Sequence, residues 1–313
     1  MKEEGCCPIC SSITKDVLTR KLRRGEGIVF HCRNCDLGFL WSTSASDLEK
    51  YYARDYRQHV SHKAEPAPTN PEEIFEAYRR YQGDRLKIVI PLLEKDSSIL
   101  EIGASAGQFL RNLDWNGVRR CAIEPDPACC EFMKRMDIET DDKMLAQSRF
   151  RVEQFNVIAA FQVLEHTEDP IFFLKTIKSM LKPGGKAVIE VPNLHDALRG
   201  VWGIPEYQAF YFHSDHRFYF TARSLRAISK LAGFKNPEIR YTQDYNLLNH
   251  LHWLMNRAPQ PDCHVGLGPV AFQGKSKMLT EWLSGELHRL NGQYIEKLTS
   301  IGCTSNITMI LEG

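Results

Sequence analysis

From about residue 73 to about 245, short apolar runs alternate with amphipathic stretches. Ile99-Leu-Glu-Ile102, Cys121-Ala-Ile-Glu124, residues 156–161 and residues 187–191 read as strands; the segments from Gln108, from Ala128 and from Asp169 to Leu181 read as helices. Asp169-Pro170 predicts a helix start, with Asp as N-cap and Pro at the first helical position. Lys182-Pro-Gly-Gly185 predicts a stop and a turn into the next strand. A further helix is expected from about 73 through Tyr78, Tyr81 and Leu86 towards Pro91. Strands and helices alternating at these lengths imply a doubly wound, mostly parallel sheet, and the fold class is α/β. Past residue 245 the pattern predicts helices at Leu247–Asn256 and residues 278–300, then a final strand at 306–311, antiparallel beside 187–191.

The first 72 residues read differently. Residues 1–40 combine cysteines with short β-prone stretches, and 41–72 form a polar connector with Tyr51, Tyr52, Tyr56, Pro66, Pro68 and Pro71. The expected organisation is a module at 1–40, the connector at 41–72 and an α/β domain at 73–313, whose helical part around 246–300 covers an acceptor.

Composition narrows the function. The chain has 313 residues, 43% hydrophobic and 25% charged, with Lys+Arg 40 against Asp+Glu 39. This balance argues against nucleic acid as the main partner, since polyanion-coating proteins carry a clear basic excess. No apolar run approaches the roughly 18 residues that span a bilayer, and the N-terminus lacks an apolar signal core. A cytoplasmic protein without a membrane partner is expected; the oligomeric state is not readable.

Cys7-Pro-Ile-Cys10 and Cys32-Arg-Asn-Cys35 are two C-x-x-C pairs separated by 21 residues. Each pair can present two thiolates on one face of a tight loop, and two such loops complete a tetrahedral S4 site. Cys7, Cys10, Cys32 and Cys35 are therefore the expected ligands of a structural zinc, with Cys7 favoured over Cys6. Cys121, Cys129, Cys130, Cys263 and Cys303 read as small buried hydrophobes.

Glu101-Ile-Gly-Ala-Ser-Ala-Gly107 puts Gly103 and Gly107 at a strand-to-helix turn, where backbone N–H groups can approach a ligand. The dinucleotide pattern G-x-G-x-x-G fails at Ser105 and Gln108. Glu101 instead suits a cationic ligand, and Glu124, 23 residues later at the end of the next strand, suits ribose hydroxyls. S-adenosylmethionine meets both demands.

With this loop, Ile123-Glu-Pro-Asp126, Phe155-Asn-Val-Ile158, Val163-Leu-Glu-His-Thr-Glu-Asp-Pro170, Leu181-Lys-Pro-Gly-Gly-Lys186 and Glu190-Val-Pro-Asn193, the sequence resembles class I S-adenosylmethionine-dependent methyltransferases. Phe220-Thr-Ala-Arg-Ser-Leu225 and Ala232-Gly-Phe234 extend the likeness. It is close to the branch with an N-terminal zinc ribbon that modifies sugars and small molecules. The resemblance implies a Rossmann-like sheet with a final antiparallel strand. It also implies that Glu101, Gly103, Ala104, Ser105 and Gly107 face the methionine end. Glu124 with Pro125 would hold the ribose, Asp142 would lie near the adenine amine, and Phe161 and Gln162 would pack on the cofactor. Ser105 stands where the usual motif has its middle glycine.

Methyl transfer needs alignment, and a base only when the acceptor must lose a proton. His166, His213 and His216 are the candidates, with His216 first and Asp215 as a group that can orient a histidine. The aromatic run Phe210-Tyr-Phe-His-Ser-Asp-His-Arg-Phe-Tyr-Phe220 also reads simply as core beneath a lid. A small-molecule acceptor is expected, most simply a hydroxyl of a nucleotide-linked sugar, polysaccharide precursor or secondary metabolite. The alternatives are sugar C-methylation, an RNA methyltransferase gripping nucleic acid through Lys21-Leu-Arg-Arg24, and a non-catalytic scaffold. That basic run reads more simply as a solvated face.

Overall fold

A computed structural model describes residues 3–41, 70–115 and 117–313, so Tyr51, Tyr52, Tyr56, Pro66 and Pro68 of the expected connector lie outside the described residues. At the amino end, β1 (Gly5–Cys6) pairs with β2 (Ile13–Thr14). β3 (Val17–Thr19), β4 (Ile28–Cys32) and β5 (Leu37–Trp41) form an antiparallel meander. Helices α1 (Pro71–Tyr78) and α2 (Gly83–Val89) replace the single helix expected to run towards Pro91. A 3-10 turn and Gln82 interrupt it, just before Gly83, a residue that weakens helix propagation.

The main sheet comprises β6 (Ser98–Ile102), β7 (Arg119–Ile123), β8 (Glu139–Asp141), β9 (Phe155–Phe161), β10 (Leu181–Pro192), β12 (Lys235–Thr242) and β13 (Asn306–Glu312), while β11 (Phe218–Tyr219) belongs elsewhere. The order is β12-β13-β10-β9-β6-β7-β8. β8, β7, β6, β9 and β10 are parallel; β13 runs antiparallel to both β10 and β12. This is a Rossmann-like fold with the final antiparallel strand beside residues 187–191.

Between the strands lie α3 (Pro127–Lys134), α4 (Pro170–Met180), α5 (Ala197–Gly200), α6 (Pro205–Tyr211) and α7 (Ala222–Leu231). The tail adds α8 (Leu247–Asn256), α9 (Cys263–Leu267) and α10 (Lys277–Ser300). Asp169 caps α4 by accepting from the N–H groups of Ile171 and Phe172, both at 2.9 Å.

Two local expectations change. The helix expected from Gln108 shrinks to one 3-10 turn, Leu110–Leu113, because turn-forming residues, Asp114 and then Gly117 at φ +70°, follow at once. Lys182-Pro-Gly-Gly185 is not a turn ahead of the strand: β10 passes through it as a bulge, with Gly184 at φ +74° and the register shifting between Leu181 and Lys186.

Alternating strand residues feed two cores. Leu100, Ile102, Ile158 and Ile189 pack with Phe173, Leu174, Ile177, Leu225 and Ile228; Ile99, Val157, Ala159 and Val188 pack with Ile88, Val89, Phe109 and Leu113. The first core continues into the amino-terminal module through Phe30, Leu37 and Phe39. β11 pairs with β5, Phe218 opposite Phe39 and Tyr219 opposite Gly38, so the chain beyond β10 supplies an edge of the module's own sheet. The Arg23 N–H donates to the Phe212 carbonyl at 2.7 Å and the Leu40 N–H to the Arg217 carbonyl at 2.9 Å.

Candidate active site

Successive crossovers leave β6 and β9 in opposite directions, so the loops after these two strands meet at the switch point of the sheet, where doubly wound folds bind ligands. The loop after β6 turns at Gly103 and Gly107, at φ +74° and +75°. A Cβ on Gly103 would lie 2.6 Å from Val163 Cγ2, and one on Gly107 2.7 Å from Met133 Cγ. Ser105 adopts the same left-handed region, at φ +52°, at a steric cost that glycine avoids. Its N–H donates to Glu124 Oε2 at 2.7 Å, while the Asp126 N–H donates to Glu124 Oε1 at 3.1 Å.

Glu101 is 4% exposed, and its Oε2 has no hydrogen-bond partner. Burial pushes its carboxyl well above the usual range, with Arg85 opposing the shift and Glu124 adding to it. An orphaned carboxylate oxygen behind a glycine cradle fits a cationic ligand, which is the donor chemistry S-adenosylmethionine needs. Glu101, Gly103, Ala104, Ser105, Gly107 and Glu124 thus gather at the ends of β6 and β7, with Pro125 half-buried beside them.

The other expected cofactor residues lie at or just past the ends of β8 and β9. Asp142 is exposed just past β8, 3.3 Å from Lys143 Nζ. Phe161 is edge-on to Phe109 at 4.9 Å, with the Arg85 guanidinium 4.6 Å over its ring. Gln162, at φ +58°, turns its side chain away along the sheet edge. Its Nε2 donates to Glu190 Oε1 at 3.3 Å and to Asn306 Oδ1 at 3.2 Å.

That edge carries groups the sequence did not single out. Arg85 NH2 donates to Glu190 Oε1 at 2.7 Å, and Asn306 Nδ2 to Asp244 Oδ2 at 2.7 Å. Asp244 keeps a solvent-accessible face, yet burial among protein atoms and nearby Glu190 push its carboxyl up to about 6. No local pattern marks Arg85 or Asp244, because their partners lie far along the chain. Glu190 stood in a recognised motif without a role.

The three candidate histidines converge on one another. His213 and His216 rings lie 3.8 Å apart, and His166 meets His216 edge-on at 4.7 Å. The Asp215 carboxylate faces His213, with Oδ2 3.5 Å from Nδ1; the only side-chain ion-pair approach of His216 among the described residues is to Glu165, at 3.9 Å. Burial pushes the Glu165 carboxyl up to about 8 and the His166 imidazole down to about 4, and lowers His213 and His216 as well. The Arg217 N–H donates to the Glu165 carbonyl at 2.8 Å, tying the loop after β9 to the 213–217 turn. Arg23 of the amino-terminal module stacks over Phe210 at 4.4 Å, so this part of the basic run faces the domain rather than forming the solvated face expected.

Cys7, Cys10, Cys32 and Cys35 bring their sulfurs within 4.8 Å of one another. Cys7 and Cys35 are 3.6 Å apart, Cys10 and Cys32 3.4 Å. Four sulfurs at about 2.3 Å from a tetrahedral ion stand about 3.8 Å apart, so the residues fit zinc. The contact with Cys35 holds the Cys7 thiol below the usual range. Cys6 is exposed and outside the group. Cys121, Cys129 and Cys130 are buried as expected, whereas Cys263 and Cys303 are only half-buried.

The methyltransferase-domain family matches residues 74–239. The tRNA U34 carboxymethyltransferase of Pseudoalteromonas translucida is 26% identical over 182 residues, 51% of this chain and 51% of that protein. The ubiquinone biosynthesis O-methyltransferase of Xylella fastidiosa is 25% identical over 133 residues, 40% of this chain and 53% of that protein. The chain thus spans about half the length of the curated relatives it matches. A crystal structure of an S-adenosylmethionine-dependent methyltransferase from Archaeoglobus fulgidus superposes with a TM-score of 0.50 at 18% identity, covering 77% of this chain and 97% of that one. Among the described residues, no helix is long and apolar enough to cross a membrane.

Proposed function

Because this chain belongs to the methyltransferase-domain family, we propose that it moves a methyl group from S-adenosylmethionine to a hydroxyl of a small molecule: a nucleotide-linked sugar, a polysaccharide precursor or a secondary metabolite. The observation that carries this reading is the buried, orphaned Glu101 oxygen behind the Gly103–Gly107 cradle, one strand from Glu124. When bound, S-adenosylmethionine supplies an electrophilic methyl group on a sulfonium. Glu101, Gly103, Ala104, Ser105 and Gly107 would hold its methionine end, Glu124 and Pro125 its ribose, and Asp142 its adenine amine, with Phe161 and Gln162 alongside.

The acceptor reading rests on the wall beyond. Half-buried Gln162 and exposed Asp244, held by Glu190 and Asn306, offer amide and carboxylate groups that suit a polyhydroxylated molecule, and Arg23 suits an anionic substituent. His213, held neutral by burial and faced by Asp215, is able to take the proton that a hydroxyl must lose. His166 and His216 complete the cluster. A structural zinc at Cys7, Cys10, Cys32 and Cys35 would fix β5, and through β11 the turn that carries His213, Asp215 and His216. RNA is the weaker reading, since the charge is balanced and Arg23 faces Phe210.

Isothermal titration with S-adenosylhomocysteine tests the cofactor half. Micromolar binding is expected, and none in a folded, zinc-loaded sample overturns it. An acceptor screen, nucleotide sugars first and RNA second, tests the rest; methylated RNA with no small-molecule product overturns the acceptor class.

A further inference from the structure

Glu165 is 1% exposed, and neither of its carboxylate oxygens has a hydrogen-bond partner. Leaving such a group bare costs far more than pairing it. Two imidazole nitrogens face it, His166 Nε2 and His216 Nε2, each 3.9 Å from Oε1. That is beyond hydrogen-bond reach. His166 Nδ1 lies 2.8 Å from the Asp215 carbonyl, which only accepts, so Nδ1 carries the hydrogen and donates it. In the neutral ring, Nε2 is then left with its lone pair facing the carboxylate. His166 Nε2 and Glu165 Oε1 thus face each other at 3.9 Å, a gap that a cation bridges once the Glu165 carboxyl gives up its proton.

We propose that Glu165, His166 and His216 form a mononuclear divalent-cation site, separate from the cysteine site and on the acceptor side of the cluster. All three ligand atoms lie within 4.8 Å of one another. Two ligands at about 2.1 Å from a tetrahedral ion are about 3.4 Å apart, so the pairs close by about half an ångström on binding. The Asp215 carbonyl fixes the His166 tautomer, which is the usual outer support of a metal-bound imidazole. The Arg217 N–H on the Glu165 carbonyl holds the two ligand-bearing loops together. Two imidazoles and one carboxylate suit a first-row divalent ion, Zn2+ through the imidazoles or Mn2+ through the carboxylate, whereas the four thiolates select zinc. Three protein ligands leave positions open for an oxygen, and an acceptor hydroxyl held there would lose its proton more readily. That last role rests on the methyl-transfer reading; the binding of the ion does not.

The test uses the full chain, zinc-loaded at the cysteines, stripped of loosely held metal and titrated with Mn2+ alone. Electron paramagnetic resonance of free Mn2+ is expected to show one bound equivalent. Glu165→Gln and His216→Ala should each weaken binding at least tenfold, and Mn2+ should raise the melting temperature of the wild type but not of Glu165→Gln. S-adenosylhomocysteine affinity, measured on the same samples, reports folding and the cofactor site independently. Absence of bound Mn2+ and of bound Zn2+ beyond the cysteine equivalent, in protein that still binds S-adenosylhomocysteine, overturns the cation site and leaves the methyltransferase reading standing. Unchanged Mn2+ affinity in both variants also overturns it. Mn2+ binding without S-adenosylhomocysteine binding keeps the site and removes its assigned role.

Discussion

The Ser105 backbone N–H donates to the Glu124 carboxylate at 2.7 Å, so the residue expected to hold the ribose also shapes the loop expected to hold the methionine end. Glu124 additionally accepts from the Asp126 N–H. Its replacement by Ala should therefore act on both halves of the cofactor. S-adenosylhomocysteine affinity is expected to fall by more than about tenfold, the equivalent of about 1.4 kcal/mol. Calorimetry giving an unchanged constant would reject the assignment.

Gly103→Ala should destabilise the fold by about 2 kcal/mol, because the new Cβ lies 2.6 Å from Val163 Cγ2 and the backbone is left-handed. Adding Val163→Ala removes the clash but not the backbone strain. Chemical denaturation of the pair should accordingly recover only part of the loss.

Much of this was legible in the sequence, and for a physical reason. The loop after β6, the capped start of α4 and the C-x-x-C pairs are local chemistry: their residue types dictate their geometry within a few positions. The helix expected after Gln108 failed because turn chemistry a few residues downstream outweighed the apolar spacing. Glu165 stood next to a candidate histidine, yet its isolation becomes visible only when the 213–217 turn packs above it. Arg85, Glu190, Asp244 and Asn306 meet across more than 200 residues of chain, a distance over which periodicity says nothing.

Arg85 is the counter-ion of a nearly buried carboxylate, Glu190, at 2.7 Å. Arg85→Met keeps much of the volume over Phe161 but leaves that charge uncompensated. A loss of about 3 kcal/mol is expected in urea melts at pH 7. Arg85→Met/Glu190→Gln should recover most of it.

Cys10→Ser should abolish zinc retention in a colorimetric release assay. Since β11 pairs with β5, the loss is expected to loosen the turn carrying His213 and His216 and cut turnover at least tenfold. Cofactor affinity, set at β6 and β7, should change less than threefold. A parallel fall of both would show that the module supports the whole domain.

Asp196 caps α5 by accepting from the Leu198 N–H at 2.8 Å, and burial pushes its carboxyl up to about 6. In the unfolded chain an aspartate titrates near 3.9. Between those values the folded protein binds more protons, so stability falls as pH rises through the window and levels off above it. Asparagine caps equally well and does not titrate. Asp196→Asn should therefore gain on the wild type by roughly 1 kcal/mol between pH 5 and pH 8, read from guanidinium melts.

The pairing of Tyr219 with Gly38 also sets a timetable for the growing chain. As the ribosome releases the polypeptide from its amino end, the cysteines emerge early, but the edge that finishes their sheet is made about 180 residues later. At roughly 5–20 residues per second, that is a wait of about ten to forty seconds. Through that interval β5 offers an open strand edge, and capture of the ion during synthesis would give the nascent module an anchor before its last strand arrives.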